Sequence, residues 1–192
     1  MTGPVAAQVS STQLQERTKF MWHPMSSPMS TAKQDPLIIA RGQGVHVWDD
    51  QGNKYLDVMS GLWCVNVGHG REEVKRAIVE QLDQLEYHNC FNDMTHPTAV
   101  RLAKRIVEIL DVEGMQRVFF SSGGSDAVES ALKIARLYWR LKGQATRTKF
   151  IAMNGCYHGM HFGGTALNGA PVARTAFGPT VAVVFHIVTP HL

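Results

Sequence analysis

The amino-acid sequence predicts an α/β protein in which helices cover a mostly parallel β-sheet. Helical and strand-like segments alternate through the second half of the chain. Residues 117–120 read as a buried strand that passes through Gly123 and Gly124 into an amphipathic helix, and residues 149–153 read as a second strand. Alternation of this kind is typical of parallel sheets with helices on their faces.

The elements before this sheet are predicted from composition and alternation. Residues 1–19 are polar and rich in small side chains, and we expect them to form a mobile or partner-bound arm. Residues 45–48 and 54–58 alternate apolar and polar side chains around the turn-rich segment 50–53. This pattern predicts a β-hairpin.

Two amphipathic helices are predicted next, because apolar side chains recur at helical spacing. Thr95 and Pro97 would open the second helix in the cap and first-turn positions. The apolar positions are Val74, Ala77, Ile78, Leu82 and Leu85 in the first helix, and Val100, Ala103, Ile106, Val107 and Leu110 in the second.

The strand, glycine and helix sequence around residue 124 has the pattern of a phosphate cradle. Gly124 and Ser125 fall at the N-terminus of a helix, where the first N–H groups have no partner in the helix and the helix dipole favours an anion. Glycine also lets a ligand approach the backbone closely. An alternative interpretation is a tight strand-to-helix turn with Ser125 as the N-cap.

A second loop favours the binding interpretation. Residues 154–159 follow the strand at 149–153, and ligands of α/β sheets bind outside the carboxyl ends of the strands. Two loops that leave successive strands can therefore face one pocket. An aromatic side chain, Tyr157, beside a phosphate cradle suggests a flat ligand.

Taken together, several ordered motifs resemble the class III pyridoxal-phosphate-dependent aminotransferases, in particular their ω-amino acid and amine:pyruvate branch. The motifs comprise residues 22–25, 44–49, 52–57 and 60–71, the turn at 123–126, and residues 157–159. The resemblance implies the fold type I architecture of these transferases. Residues 20–67 would be the N-terminal part of the small domain, and residues 68–192 the first half of the large, mostly parallel-sheet domain.

The resemblance also implies roles for individual residues. Gly124 and Ser125 would bind the phosphate of pyridoxal 5'-phosphate, and Tyr157 would stack on its pyridine ring. His158 would support that ring, or is simply a hydrogen-bonded loop histidine. Trp63 would wall the substrate pocket, or is a core aromatic.

The sequence departs from the family pattern in two respects. Residues 123–126 read Gly-Gly-Ser-Asp where the family usually has Ser-Gly-Ser-Glu. The chemistry also needs a lysine that forms a Schiff base with the cofactor and a carboxylate on the pyridine nitrogen. No Asp or Glu follows Glu129, and no lysine lies in a matching motif, so no catalytic residue is assigned. We expect this to be the N-terminal portion of such an enzyme, truncated and inactive by itself.

The resemblance and the departures from it leave two functions open. The first is a transaminase that moves an amino group from an ω-amino acid or amine to pyruvate or another keto acid. The second is a non-catalytic product that binds only phosphate compounds or a full-length partner. A Rossmann dinucleotide binder is disfavoured, because Gly-x-Gly-x-x-Gly is absent and Gly123 and Gly124 are adjacent.

Composition limits the classes of partner that we expect the chain to bind. The formal charge is +3, although residues 130–192 carry seven Lys and Arg side chains against no acid. A solvated helix face explains this basic cluster better than a nucleic-acid surface, since no binding pattern of aromatics accompanies it. The three cysteines are widely spaced, which disfavours a disulfide framework or zinc site. We expect a cytoplasmic protein with no metal site and no membrane span, and a homodimer as in the family.

Overall fold

The computed structural model describes residues 10–27, 29, 35–180 and 183–190. These residues form two compact units that divide between Cys90 and Phe91. The predicted domain boundary near residue 67 refers to the domains of a whole enzyme and stays a prediction. The first part of the predicted arm, residues 1–9, lies outside the described residues.

The first unit begins with helix α1, Ser11–Thr18, where the sequence predicted an arm. A reciprocal cap starts this helix: Ser10 Oγ accepts a hydrogen bond from the Gln13 amide, and the Gln13 side chain accepts one from the Ser10 amide. Such a capping box satisfies two amides that would otherwise lack a partner. The described part of the arm is therefore helical.

Three antiparallel strands follow in the order β1-β2-β3: β1 Ile39–Gln43, β2 His46–Asp49 and β3 Lys54–Leu56. The hairpin formed by β2 and β3 confirms the prediction from alternation, with Val47 opposite Tyr55. Strand β1 was not predicted, because its short Arg-Gly-Gln sequence carries no alternation. It is a strand because β2 supplies a hydrogen-bonding partner.

The turn between β2 and β3 is built around the buried carboxylate of Asp49. That carboxylate accepts hydrogen bonds from the amides of Gln51 (3.0 Å) and Asn53 (2.8 Å), the Asn53 side chain (2.9 Å) and the Tyr55 hydroxyl (2.9 Å). Burial by itself would raise the pKa of Asp49, but these hydrogen bonds outweigh it and lower that pKa. The hydrogen bond between the Tyr55 hydroxyl and Asp49 is the largest cause that raises the pKa of Tyr55.

Both predicted amphipathic helices are present, as α2 Glu72–Gln84 in the first unit and α3 Pro97–Leu110 in the second. Pro97 occupies the first turn of α3 as predicted. The predicted cap at Thr95 is wrong, because His96 accepts the hydrogen bond from the Ala99 amide through its ring nitrogen. A histidine can fill this position since a neutral imidazole offers one acceptor nitrogen.

The second unit continues with α4 Gly124–Leu141, β4 Phe150–Met153, α5 Phe162–Leu167, α6 Pro171–Thr175 and β5 Val184–Ile187. Strands β4 and β5 pair in parallel, with Ile151 opposite Phe185. The predicted helix after residue 123 and the parallel pairing are thus confirmed. Residues 181 and 182, shortly before β5, lie outside the described residues.

One predicted strand does not form. Residues 117–120 are irregular, and Phe119 is 67% exposed rather than buried. An apolar run becomes a strand only where a neighbour completes its hydrogen bonds, and β4 and β5 pair with each other instead. The apolar pattern therefore identified side chains suited to burial, without identifying what would bury them.

The core of the second unit lies on the short helix α5. This helix contacts α4, α6 and both strands of the parallel pair. Ala166 and Leu167 of α5 and Ala152 of β4 are its buried apolar side chains, and the polar Thr165 and Asn168 are buried beside them. The loop that precedes α5 is thereby fixed against α4.

Candidate functional site

The predicted phosphate cradle, residues 123–126, is called the glycine turn below. Gly123 is the N-cap of α4, and the first hydrogen bond of that helix runs from the Ala127 amide to the Gly123 carbonyl at 3.0 Å. Within the described residues, the amides of Gly124, Ser125 and Asp126 have no hydrogen-bond acceptor. Three N–H donors at one helix end can therefore bind an anion.

Space for that anion is present beside the two glycines. A Cβ atom added at Gly123 or Gly124 would meet no atom of the described chain within 4 Å, apart from its immediate neighbours. Neither glycine has a left-handed φ, and Gly123 is fully extended at −178°. The backbone conformation therefore does not require glycine at either position, and the absence of a side chain leaves the backbone open to close approach.

The second predicted loop contacts the glycine turn directly. We call residues 157–160 the aromatic loop. The Met160 amide donates a hydrogen bond of 3.0 Å to Ser125 Oγ. Gly159 has φ +110°, and a Cβ added there would lie 2.8 Å from Ser125 Oγ. The structure therefore brings Ser125 together with the loop that carries Tyr157 and His158.

Ser125 is not the N-cap that the alternative interpretation required, because Gly123 occupies that position. Its hydroxyl accepts from the Met160 amide and still carries a proton to donate. The side chain can therefore bind the loop and an anion simultaneously.

Two further contacts fasten to α4 the residues that directly follow the loop. Asp126 Oδ1 lies 3.4 Å from His161 Nδ1, and Glu129 Oε2 accepts a hydrogen bond of 3.0 Å from the Gly163 amide. These acids lie in the first two turns of the helix. The glycine turn and the aromatic loop are consequently held as one assembly.

The buried side chain of Asn168 organises the aromatic loop. Asn168 is 4% exposed, its Oδ1 accepts from the His158 amide at 2.5 Å, and its Nδ2 donates to the Gly159 carbonyl at 3.0 Å. Sequence analysis did not identify this residue. Its position one residue after an apolar helical run was the available signal, because asparagine is favoured where a side chain must bond to nearby backbone.

The two predicted ligand-binding side chains of the aromatic loop differ in their exposure. Tyr157 is 64% exposed, so its ring face is accessible. His158 is half-buried, and its backbone amide is bound by Asn168. Among the described residues its imidazole makes no hydrogen bond, so the described contact of this residue is a backbone one.

Trp63, the predicted substrate-pocket residue, lies in the first unit. It ends a turn over Ser60–Trp63, called the left-handed turn below, in which φ is +49°, +58°, +63° and +65° at successive residues. A left-handed backbone costs about 1–2 kcal/mol for each residue other than glycine. Trp63 is 72% exposed, so it is not a core aromatic of the described chain.

A hydrogen-bonded pair of side chains lies directly beside this turn. His69 Nε2 lies 2.8 Å from Asp57 Oδ2, and the same oxygen accepts a hydrogen bond of 2.9 Å from the Gly61 amide. The hydrogen bond from His69 is the largest cause that lowers the pKa of Asp57 below its ordinary value, and the Gly61 amide adds to it. The pairing of His69 with Asp57 was not predicted from the sequence.

The described residues contain no group of three or more His, Cys, Asp or Glu side chains placed to bind a metal ion. None of the helices in the described ranges is both long enough and apolar enough to cross a bilayer. The three cysteines form no disulfide, and Cys64 and Cys90 are exposed.

Comparison with known proteins decides the family. The profile of the family described as aminotransferase class-III matches residues 28–191. The chain belongs to the class III aminotransferases. The resemblance drawn from the motifs is thereby confirmed, and with it pyridoxal 5'-phosphate as the cofactor of the family.

Curated relatives of this aminotransferase chain point to the same branch. It is 40% identical over 154 residues to the putrescine–pyruvate aminotransferase of Pseudomonas aeruginosa, covering 80% of this chain and 34% of the relative. It is 38% identical over 170 residues to the omega-aminotransferase of Caulobacter vibrioides, covering 88% of this chain and 38% of the relative. The chain thus spans little more than a third of the length of these relatives.

Solved structures confirm the predicted fold class for the part that is present. An (S)-enantioselective omega-transaminase from Thermomicrobium roseum matches with a TM-score of 0.90 and 35% identity, over 96% of this chain and 41% of that one. A pyridoxal-phosphate-bound amine transaminase from an uncultivated Pseudomonas species matches with a TM-score of 0.84 and 45% identity, over 88% of this chain and 38% of that one.

Proposed function

We propose that this chain supplies the phosphate, ring and substrate contacts of a transaminase that transfers an amino group from an ω-amino acid or amine to pyruvate or another keto acid. The observation that carries the proposal is the glycine turn, where free amides face open space beside the aromatic loop. The names of the putrescine–pyruvate and omega-amino acid–pyruvate relatives support the substrate class.

The residues present fit a cofactor phosphate. The amides of Gly124, Ser125 and Asp126 would donate to its oxygens, and the Ser125 hydroxyl would add a charge-assisted hydrogen bond. The dipole of α4 favours the anion by a further ~0.3–1 kcal/mol. Asp126 does not oppose this arrangement strongly, since its carboxylate faces His161.

The aromatic loop would hold the cofactor ring. The exposed ring face of Tyr157 offers a stacking surface, and the hydrogen bonds of Asn168 fix the backbone that carries it. His158 follows Tyr157 directly and would support the ring from beside it. Trp63 would wall the substrate pocket, for which its exposed indole offers a large rigid surface.

When bound, the cofactor withdraws electrons from the substrate carbon, and this lets that carbon lose its proton. Neither the lysine that would move this proton nor the carboxylate for the pyridine nitrogen is assigned in the 192 residues. The role of this chain in the reaction is therefore to bind and orient. Assembly as a homodimer in the cytoplasm is proposed from the family.

A second candidate is a chain that binds phosphate compounds, or pairs with a full-length partner, without catalysis. It is favoured by the absence of any acidic residue after Glu129. We expect the 192-residue chain by itself to form no alanine from pyruvate and an amine. Coupled assays with purified protein measure this directly, and sustained alanine formation would contradict the assignment of no catalytic residue.

A chimeric enzyme tests the proposed function. In it, residues 28–191 replace the matching segment of the putrescine–pyruvate aminotransferase from Pseudomonas aeruginosa, which supplies the remaining residues. We expect the chimera to bind pyridoxal phosphate, seen in its visible absorbance, and to form alanine from pyruvate. The parent enzyme and the chimera carrying Gly124→Val serve as controls. A folded chimera that binds no cofactor would contradict the proposal.

A further inference from the structure

The left-handed turn needs an external restraint. Three of its residues, Ser60, Leu62 and Trp63, have positive φ without being glycine. Such conformations persist only where their surroundings fix them, and they concentrate at ligand-binding sites. Three backbone hydrogen bonds close this turn, from the Trp63 amide to the Met59 carbonyl (2.8 Å) and from the Cys64 and Val65 amides to the Ser60 carbonyl (3.0 and 2.9 Å).

The restraint at the centre of the turn is the Asp57 carboxylate. One oxygen, Oδ2, binds both the Gly61 amide and His69 Nε2. The carboxylate is thus fixed between the turn and a histidine six residues beyond the end of the turn. If this oxygen were removed, the Gly61 amide would lose its acceptor.

His69 is itself held on two sides. Its amide donates to the Gly44 carbonyl at 2.8 Å, and its carbonyl accepts from the Gly44 amide at 2.9 Å. Its ring packs against strand β1, because a Cβ added at Gly42 would lie 2.6 Å from His69 Cγ and Nδ1. The ring therefore links the sheet of the first unit to Asp57 and, through it, to the turn.

We propose that Asp57 and His69 are positioning residues that hold the left-handed turn against β1 and thereby set where Trp63 stands. This proposal rests on the proposed function in one respect, the assignment of Trp63 to the substrate pocket. The two residues contact no substrate themselves. They would determine how the enzyme discriminates among amines by fixing one wall of the pocket.

Fluorine NMR of the 192-residue chain tests the positioning. The chain contains four tryptophans, so labelling with 5-fluorotryptophan gives four signals, and Trp63→Phe assigns the one of interest. Asp57→Ala should shift or broaden the Trp63 signal and leave those of Trp48 and Trp139 in place. Exchange of the Gly61 amide should become about tenfold faster, as expected for a lost hydrogen bond.

Three variants separate the restraint from general destabilisation. Asp57→Asn keeps an oxygen acceptor and should restore much of the Gly61 protection. Gly42→Ala should displace the His69 ring and move the Trp63 signal without removing a charge. Asp83→Ala, at an exposed acidic residue of α2, should change none of these signals.

The outcomes are decisive in each direction. If Asp57→Ala and Gly42→Ala leave the Trp63 signal and Gly61 exchange unchanged, the proposal is wrong. If Asp57→Ala disturbs all four signals, Gly42→Ala becomes the deciding variant. The same proposal is overturned if Asp83→Ala moves the Trp63 signal as much as Asp57→Ala does.

Kinetics of the chimera distinguish this proposal from the proposed function. Asp57→Ala should raise KM for the amine about threefold to tenfold while kcat and pyridoxal-phosphate affinity stay unchanged, and Asp57→Asn should restore much of the lost affinity for the amine. A selective change of the Trp63 signal with no change in KM would support the restraint and contradict the placement of Trp63 in the substrate pocket.

Discussion

The left-handed turn and the glycine turn, the two proposed binding surfaces, are built by opposite means. The left-handed turn places Ser60–Trp63 in a costly backbone conformation beside the hydrogen-bonded side chains of Asp57 and His69. The glycine turn needs no unusual φ, and the loop beside it is held by the neutral, buried side chain of Asn168.

This difference has a consequence for how each turn responds to its surroundings. A restraint made by a carboxylate weakens when the carboxylate is protonated, whereas a buried amide side chain does not titrate. We therefore expect acid to weaken the hold of Asp57 on the left-handed turn and to leave the hydrogen bonds of Asn168 in the aromatic loop unaffected. Substitutions that remove side-chain volume or hydrogen bonds should affect the aromatic loop more than the left-handed turn.

The largest effect is expected from Gly124→Val. The branched side chain would occupy the space that an anion needs, so pyridoxal-phosphate affinity of the chimera should fall more than about a hundredfold, or ~2.7 kcal/mol. Folding should be unaffected, because a Cβ at this position meets no described atom within 4 Å. Absorbance titrations together with thermal melts would measure both. A variant that fails to fold would show that the space is already filled.

Ser125→Ala should weaken cofactor binding by about tenfold to a hundredfold. The change removes a charge-assisted hydrogen bond worth roughly 1.5–3 kcal/mol while the three amides remain. It also removes the acceptor of the Met160 amide, so some loosening of the aromatic loop should accompany it. Ser125→Thr keeps the hydroxyl and is the matched control. Equal affinity in both variants would argue against a hydroxyl contact.

Asn168→Ala should destabilise the second unit by about 1–3 kcal/mol. The substitution leaves the His158 amide and the Gly159 carbonyl without their partner in a buried site. Denaturant unfolding followed by hydrogen exchange at both positions would measure it. Asn66→Ala, at an exposed asparagine of the first unit, is the control. Unchanged stability of the second unit would mean that solvent replaces both bonds.

Acid should act selectively on the left-handed turn. This is the smallest of the expected effects. Because the pKa of Asp57 is lowered, its contribution is fully present above the ordinary value of 3.8 and is lost as pH falls through the lowered value. The fluorine signal of Trp63 should thus change as the pH falls below about 4. Asp57→Asn should remove this step. A step that persists in the variant would assign it to another group, such as Asp49.

Local sequence patterns predicted secondary structure in the first unit and the residues of the glycine turn. The spacing of Val74, Ile78 and Leu82 was enough for α2, and alternation around a polar turn was enough for the β2 and β3 hairpin. The residues of the glycine turn were also identified, since a strand-like run, two glycines and an amphipathic helix are neighbours in sequence.

The features that were missed depend on partners distant in sequence. Asp57 and His69 are separated by twelve positions, and Met160 and Ser125 by thirty-five, so neither contact leaves a local signature. Strand β1 exists only because β2 pairs with it, and residues 117–120 lack such a neighbour among the described residues. Sequence patterns identified the candidate segments. Hydrogen bonding with partners distant in sequence determined which of these segments form strands and which contacts they make.

The most direct test of the central claim is amide NMR of the chimera during titration with pyridoxal phosphate. We expect the largest shifts at the amides of Gly124, Ser125 and Asp126, with smaller ones in the aromatic loop, and we expect Tyr157→Phe to preserve this pattern because its ring face remains. Shifts that are absent from the glycine turn at saturation, or a pattern abolished by Tyr157→Phe but kept by Gly124→Val, would contradict the assignment of the phosphate to Gly124 and Ser125.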